Sequence, residues 1–159
     1  MGPPYPGRVL TTSARPDDPE AVELLDEYFA GRVAGWRGAA GYRVPSVDVA
    51  AFLPPRGAFL LARDAGELIG CGGVRLLDEA RAEVKHLYLR EHARGQGRGR
   101  ELLARLETVA SGLGARSVVL DTNATLAVAQ ALYRSAGYRE VQRYNDNPNA
   151  THWFAKDLG

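Results

Sequence analysis

Arg94-Gly95-Gln96-Gly97-Arg98-Gly99 stands between a strand-like run, Glu83 to Leu89, and an amphipathic helical pattern that begins near Gly97. A helix starting there leaves its first N–H groups without intrahelical acceptors. Three glycines let the chain curl so that those donors converge on one point. The segment is predicted to seat an anion, and a phosphate suits it. Arg94, Arg98 and Arg100 add positive charge, and the helix dipole contributes roughly 0.3–1 kcal/mol per anionic contact. A pyrophosphate-bearing ligand is the expectation.

The loop's departures from known patterns narrow the ligand. A nucleotide-hydrolysing loop carries Lys and Ser/Thr after its last glycine, whereas Gly99 is followed by Arg100 and Glu101. A dinucleotide fingerprint spaces its glycines G-x-G-x-x-G, but Gly95, Gly97 and Gly99 run G-x-G-x-G. Asp121, ending the next predicted strand, imitates the ribose-binding acid of that fingerprint, so a dinucleotide stays open as an alternative.

Outward from the loop, hydrophobic periodicity predicts the rest. Leu102, Leu103, Leu106, Val109 and Ala110 recur at helical spacing until Gly112 and Gly114, and a continuous apolar strand follows at 117–121, giving a strand-helix-strand crossover. Upstream, Phe59 to Arg63, Glu67 to Leu76 and Arg81 to Leu89 are separated by turn residues and predict an antiparallel meander. Arg8 to Thr12 reads as a first strand. Proline and acid at Pro16-Asp17-Asp18-Pro19-Glu20 open a helix with an apolar stripe of Val22, Leu24, Leu25, Tyr28 and Phe29. Four glycines and a proline break that pattern over 31–45. Ser46 to Phe52 predicts a short helix capped by Ser46 and stopped by Pro54-Pro55. A last helix from about Thr125 to Ala136, with Asn123 as its cap, is followed by Gly137 and by strands near 138–143 and 151–157.

Composition excludes several classes. With 45% apolar and 25% charged residues in 159, the chain fits one soluble domain. Residues 1–7 are predicted to be a flexible leader and 8–159 the domain. Twenty Lys plus Arg against nineteen Asp plus Glu give no electrostatic reason to expect nucleic acid or an anionic membrane. No apolar run suits a membrane span, and the N-terminus lacks the order of a secretory signal, so a cytoplasmic protein is expected. Cys71, the one cysteine, excludes an intramolecular disulfide and reads as a small core residue.

The ordered set of motifs resembles the GNAT superfamily of acyl-CoA-dependent N-acetyltransferases. Arg94 to Gly99 is similar to its Arg/Gln-x-x-Gly-x-Gly/Ala loop, Glu83 to Leu89 to its fourth strand, and Ser117 to Thr122 to its fifth. Ala129-Gln130-Ala131-Leu132-Tyr133 with Gly137-Tyr138 resembles its A-x-x-L-Y-x-x-x-G-F/Y helix and turn. Tyr144 to Pro148 and Trp153 to Lys156 resemble the closing hairpin of many bacterial members. One position departs: the family's pantetheine-contacting Asn, seven residues before the Tyr, is replaced by Leu126.

The resemblance implies a mixed, mostly antiparallel α/β sheet with helices on both faces. It also implies transfer of an acetyl group from acetyl-CoA to a primary amine of a small molecule, with no metal, by a monomer or homodimer. A non-catalytic acyl-CoA-binding sensor is the other alternative. The backbone of Leu87, Tyr88 and Leu89 is expected to pair with pantetheine, and residues 94–100 (Arg94, Gly95, Gln96, Gly97, Arg98, Gly99, Arg100) to hold the diphosphate. An attacking amine must shed a proton, since an alkylammonium of pKa near 10.4 is only about one part in a few thousand free base at pH 7. The family's strand carboxylate falls on Glu83, with His86 or water as alternatives. Glu83 otherwise reads as a strand carboxylate paired with Lys85 or Arg81. Tyr133 aligns with the tyrosine that donates to the departing thiolate, or is a half-buried core tyrosine; Arg134 reaches a CoA phosphate or is solvated. Trp36, Arg37 and Tyr42, with Arg32 and Arg43, form an aromatic and guanidinium mixture suited to an amine bearing a carboxylate, or a solvated basic loop. Tyr144 to Asn149 is a second candidate rim.

Overall fold

A computed structural model describes residues 9–36, 41–123 and 127–159. The predicted leader, Arg37, Leu126 and the first turn of the last predicted helix lie outside the described residues. Seven strands, β1 (Leu10–Ala14), β2 (Gly57–Asp64), β3 (Glu67–Leu76), β4 (Arg81–Leu89), β5 (Ser117–Thr122), β6 (Arg139–Val141) and β7 (His152–Asp157), form one sheet in the order β1-β2-β3-β4-β5-β7-β6. Every neighbouring pair is antiparallel except β4 and β5, which are parallel. The expected mixed, mostly antiparallel sheet is found. The helices are α1 (Pro19–Gly35), α2 (Arg98–Gly112) and α3 (Ala127–Ser135).

Alternation along the strands supplies both faces with apolar side chains. On one face Leu102, Leu103 and Leu106 of α2 pack against Leu60, Val74, Val84 and Val118. On the other, Ala21, Leu24 and Leu25 of α1 pack with Phe52, Phe59, Leu61 and Cys71. Each fully buried leucine contributes roughly 1.5–3 kcal/mol relative to exposure.

Three local expectations are corrected. Val22 is 40% exposed, and Ala21 takes its place inside; positions 21, 24, 25 and 28 make the true helical stripe, and valine's size had outweighed alanine's register. The helix runs on to Gly35, past the break expected at 31. Its extra turn places Arg32 beside the C-terminal carbonyls, a favourable position for a cation that helps offset the glycine cost. The short helix is a 3-10 turn, Val49–Phe52, with Asp48 rather than Ser46 at its start and no side-chain cap.

The centre of the sheet is irregular in two ways that matter. The β4–β5 register holds only at Arg81↔Ser117, Ala82↔Val118 and Glu83↔Val119, after which the strands part. The β3–β4 register jumps from Cys71↔Tyr88 to Gly73↔Lys85, so β4 carries one extra residue there. Within this bulge His86 adopts a φ of 58°, a left-handed conformation that costs a non-glycine residue about 1–3 kcal/mol. The Cys71 thiol donates to the His86 carbonyl at 3.6 Å. Burial pushes that thiol up to about 12. Thiol reagents at pH 8 are therefore expected to label Cys71 only after unfolding; rapid labelling of the native protein would contradict this core placement.

Candidate functional site

The glycine loop turns as its sequence suggests. Gly95 and Gly97 have φ of 84° and 80°, and Gly97 sits at the N-cap of α2 without a side-chain cap. Glu101 is the first residue whose N–H returns to the Gly97 carbonyl, at 3.1 Å. The amides of Arg98, Gly99 and Arg100 thus precede the first intrahelical bond and form the positive end of the helix. The arginines are less free than the sequence suggested. Arg98 donates to Asp64 Oδ2 at 2.7 Å and to the Ala93 carbonyl at 3.4 Å. Arg94 donates to the Leu89 carbonyl at 2.9 Å, and Arg100 to the Ser135 carbonyl at 2.7 Å. Their first effect is to fasten the loop to the β2–β3 turn, to β4 and to α3. Gln96 is exposed at the tip.

Where β4 and β5 part, the edge of β4 from Lys85 to Leu89 that faces away from β3 has no strand partner among the described residues. A cavity of about 200 Å³ opens into this cleft. Leu87, Thr122, Asn123 and Tyr133 line its cleft end. Among the described residues the buried Thr122 hydroxyl has no hydrogen-bond partner, and a ligand's amide would satisfy it. Burial raises the Tyr133 hydroxyl well above an ordinary phenol, so it remains a donor at neutral pH. Tyr88 contributes only its main chain to the cleft side, because its hydroxyl donates to Glu27 at 3.1 Å.

The other end of the cavity is aromatic. His86 lies edge-on to Tyr28 and Phe29, with ring centroids 6.1 and 5.6 Å away, and is tilted against Phe52 at 5.6 Å. Burial first, then the Lys85 and Arg75 charges, lower His86 to about 4. It is neutral and a weak proton acceptor at pH 7. Tyr42 lines the same end, and burial raises it to about 12. Trp36 packs on Tyr42 at 5.6 Å, and its buried indole N–H has no partner among the described residues.

Glu83 is 1% exposed and does not line the cavity. Arg75, its cross-strand neighbour, donates to Oε1 through Nε at 3.0 Å and Nη2 at 2.8 Å. Tyr144 and Asn145 donate to Oε2 at 2.6 and 3.2 Å. Four donors occupy the carboxylate's four lone-pair directions. Burial and the adjacent Glu83 charge raise Tyr144 strongly. Neither partner proposed from sequence is the principal one: Lys85 is 3.9 Å away, and Arg81 pairs with Asp78.

Two carboxylates line the cavity, Asp48, which is exposed, and Asp121, which is held among polar partners. Asp121 Oδ2 accepts from Lys85 at 3.1 Å and Asn145 at 2.7 Å, its Oδ1 from Asn147 at 3.1 Å. Asn149 clasps the Arg43 main chain, accepting from its N–H at 3.1 Å and donating to its carbonyl at 2.7 Å. The segment after β6 therefore folds over the sheet and ties the 41–45 stretch to the site. Sequence reasoning assigned Asp121 only to the dinucleotide alternative and missed Arg75 and Lys85 as site residues; the signal available was the run of polar side chains in otherwise apolar strands. Arg134 is outside the cavity lining, with its guanidinium 5.1 Å above Phe154. Among the described residues no His, Cys, Asp or Glu cluster fits a metal ion, and no helix is long and apolar enough to cross a membrane.

Comparison with known proteins places this geometry. A protein described as IAA acetyltransferase from Azospirillum brasilense is 35% identical over 95 residues, 59% of this chain and 62% of that protein. The match thus spans less than two thirds of that relative. An acyl-CoA N-acyltransferase structure from Klebsiella pneumoniae superposes with a TM-score of 0.81 at 26% identity, covering 96% of this chain and 99% of the other. The PaiA N-acetyltransferase of Thermoplasma acidophilum, solved in complex with coenzyme A, gives a TM-score of 0.69 at 16% identity over 94% of this chain and 99% of its own. The model of the Acetyltransferase (GNAT) family matches residues 19–138. With three quarters of its length inside that match, its glycine-loop helix following a bulged fourth strand and its sheet parting beside it, this chain belongs to the GNAT acetyltransferase family.

Proposed function

We propose that the protein transfers an acetyl group from acetyl-CoA to an amine of a small molecule by direct attack on the thioester. The observation that carries this reading is the continuity of the unpartnered β4 edge with the α2 amides on one side and the aromatic cavity on the other. The α2 amides and the left-handed Gly95 and Gly97 suit a diphosphate. The β4 edge suits pantetheine amides, which would add to the sheet as a strand does. The bound co-substrate supplies the activated acyl group. In this reading a main-chain N–H near Leu87 would stabilise charge on the carbonyl oxygen, and the Tyr133 hydroxyl would donate a hydrogen bond to the departing sulfur.

Asp121 supports the amine's loss of a proton better than Glu83 does. It lines the cavity, and among the described residues one lone pair of Oδ1 is uncommitted, whereas Glu83 is saturated. We assign Asp121, directly or through water, as proton acceptor and Glu83 as the positioning residue that fixes Arg75, Tyr144 and Asn145. Calorimetry with acetyl-CoA, NAD and ATP tests the donor: NAD binding in place of acetyl-CoA ends this reading. Release of free CoA with an amine panel distinguishes an enzyme from a sensor. Gly97→Ala is expected to weaken acetyl-CoA roughly five- to thirtyfold while pantetheine binding stays within a few-fold, because a Cβ at that φ costs about 1–2 kcal/mol. Equal weakening of both ligands would remove the loop from the diphosphate site.

A further inference from the structure

We infer that the acceptor end of the cavity is built for an amine that also carries a carboxylate, held by the Arg32 guanidinium. The inference rests on the acetyl-transfer reading and extends it to the class of acceptor. Its basis is the pairing of charge around the cavity. Arg75 is matched by Glu83, and Lys85 by Asp121. Asp48 is exposed at the rim, where water and salt screen it. Arg32 lines the cavity, half-buried, and pairs with no Asp or Glu among the described residues. The remaining stretches of the chain contain neither acid.

Its present contacts orient it without neutralising it. The guanidinium stacks on the Tyr28 ring at 4.7 Å and donates through Nη2 to the Tyr28 hydroxyl at 3.0 Å. Stacking fixes the plane of the fork, and its other N–H groups, without an acceptor among the described residues, match the two oxygens of a carboxylate. Arg32 and Asp121 line the same cavity of about 200 Å³, so the unmatched cation and the proton-accepting carboxylate share one small volume. Neutral His86 with Tyr28, Phe29 and Phe52 supplies an apolar wall between them. An amino carboxylate with a compact apolar or aromatic body meets all three features, its nitrogen toward Asp121 and its carboxylate on Arg32.

Phenylalanine and 2-phenylethylamine differ by that carboxylate alone and make the probe pair. The wild-type protein is expected to favour phenylalanine tenfold or more in kcat/KM, chiefly through KM. Arg32→Gln should bring the ratio of the two toward one, and Arg32→Lys, which keeps the charge and loses the fork, should fall between. A wild-type preference for 2-phenylethylamine, or an unchanged ratio in Arg32→Gln, overturns the inference. Direct calorimetry of N-acetylphenylalanine on the CoA-saturated protein reads the same clamp without turnover: binding weakened tenfold in Arg32→Gln supports it, and no wild-type binding sinks it. Failure of CoA itself to bind would instead strike the acetyl-transfer reading.

Discussion

In a Glu83→Gln variant the melting temperature is expected to fall by roughly 5–12 °C, a change larger than a surface carboxylate would give. Glutamine keeps the shape of Glu83 but replaces one acceptor oxygen by a donor NH₂. That group must then face Arg75 on one side or Tyr144 and Asn145 on the other, all of which donate. Arg75 is also left without its counter-ion. Its side chain is 32% exposed, so the penalty is discounted from the fully buried case to about 2–4 kcal/mol. Thermal unfolding of Glu83→Gln, Arg75→Ala and the double variant reads the coupling, and the double should be less destabilised than the two singles summed. Catalysis should fall too, because Tyr144 and Asn145 hold the segment that supplies Asn147 to Asp121. A Glu83→Gln protein that melts like the wild type yet loses 10²–10⁴-fold in turnover would return the base role to Glu83.

Acid should cost this protein stability through His86. Its folded-state value of about 4 lies below the ordinary 6.5 because burial disfavours the imidazolium and Lys85 and Arg75 repel it. A group depressed on folding contributes stability that is full above its unfolded value and is lost as pH falls through the folded one. The window therefore runs from about pH 6.5 down to about 4, and the loss from this one side chain is about 3 kcal/mol. The ordinary carboxylate range adjoins this window, so the readout is a difference. The unfolding free energy of His86→Asn, chosen because asparagine tolerates the left-handed backbone, should depend less steeply on pH than that of the wild type. Parallel curves for the two proteins would mean that His86 is not held neutral by its surroundings.

What could be read in advance follows the range of the interactions. The glycine loop, α2 and the β4-α2-β5 crossover declare themselves through neighbours in sequence, and they are where periodicity and capping put them. The pairing of Glu83 with Arg75 depends on a register shared by two strands, which no single stretch encodes. The role of Asn145 and Asn147 depends on where a loop 24 to 26 residues beyond Asp121 comes to rest. Arg98 shows the same limit from the other direction: its position in the loop suggested a free phosphate contact, and a hairpin turn 34 residues earlier holds it. Val22 failed for a local reason, since residue size was weighed above the phase of the helical stripe.

The early parting of β4 and β5 divides labour between main chain and side chain. The groove beside β4 offers peptide groups, whose chemistry survives most substitutions along the strand. The opposite wall is assembled from the end of α1, the 42–52 stretch and the segment before β7, three pieces remote in sequence and absent from the central ladder. On the acetyl-transfer proposal, exchange of residues in those pieces would retune which acceptor is admitted while the donor's berth persists, and one scaffold would serve many nitrogen compounds without rebuilding its sheet.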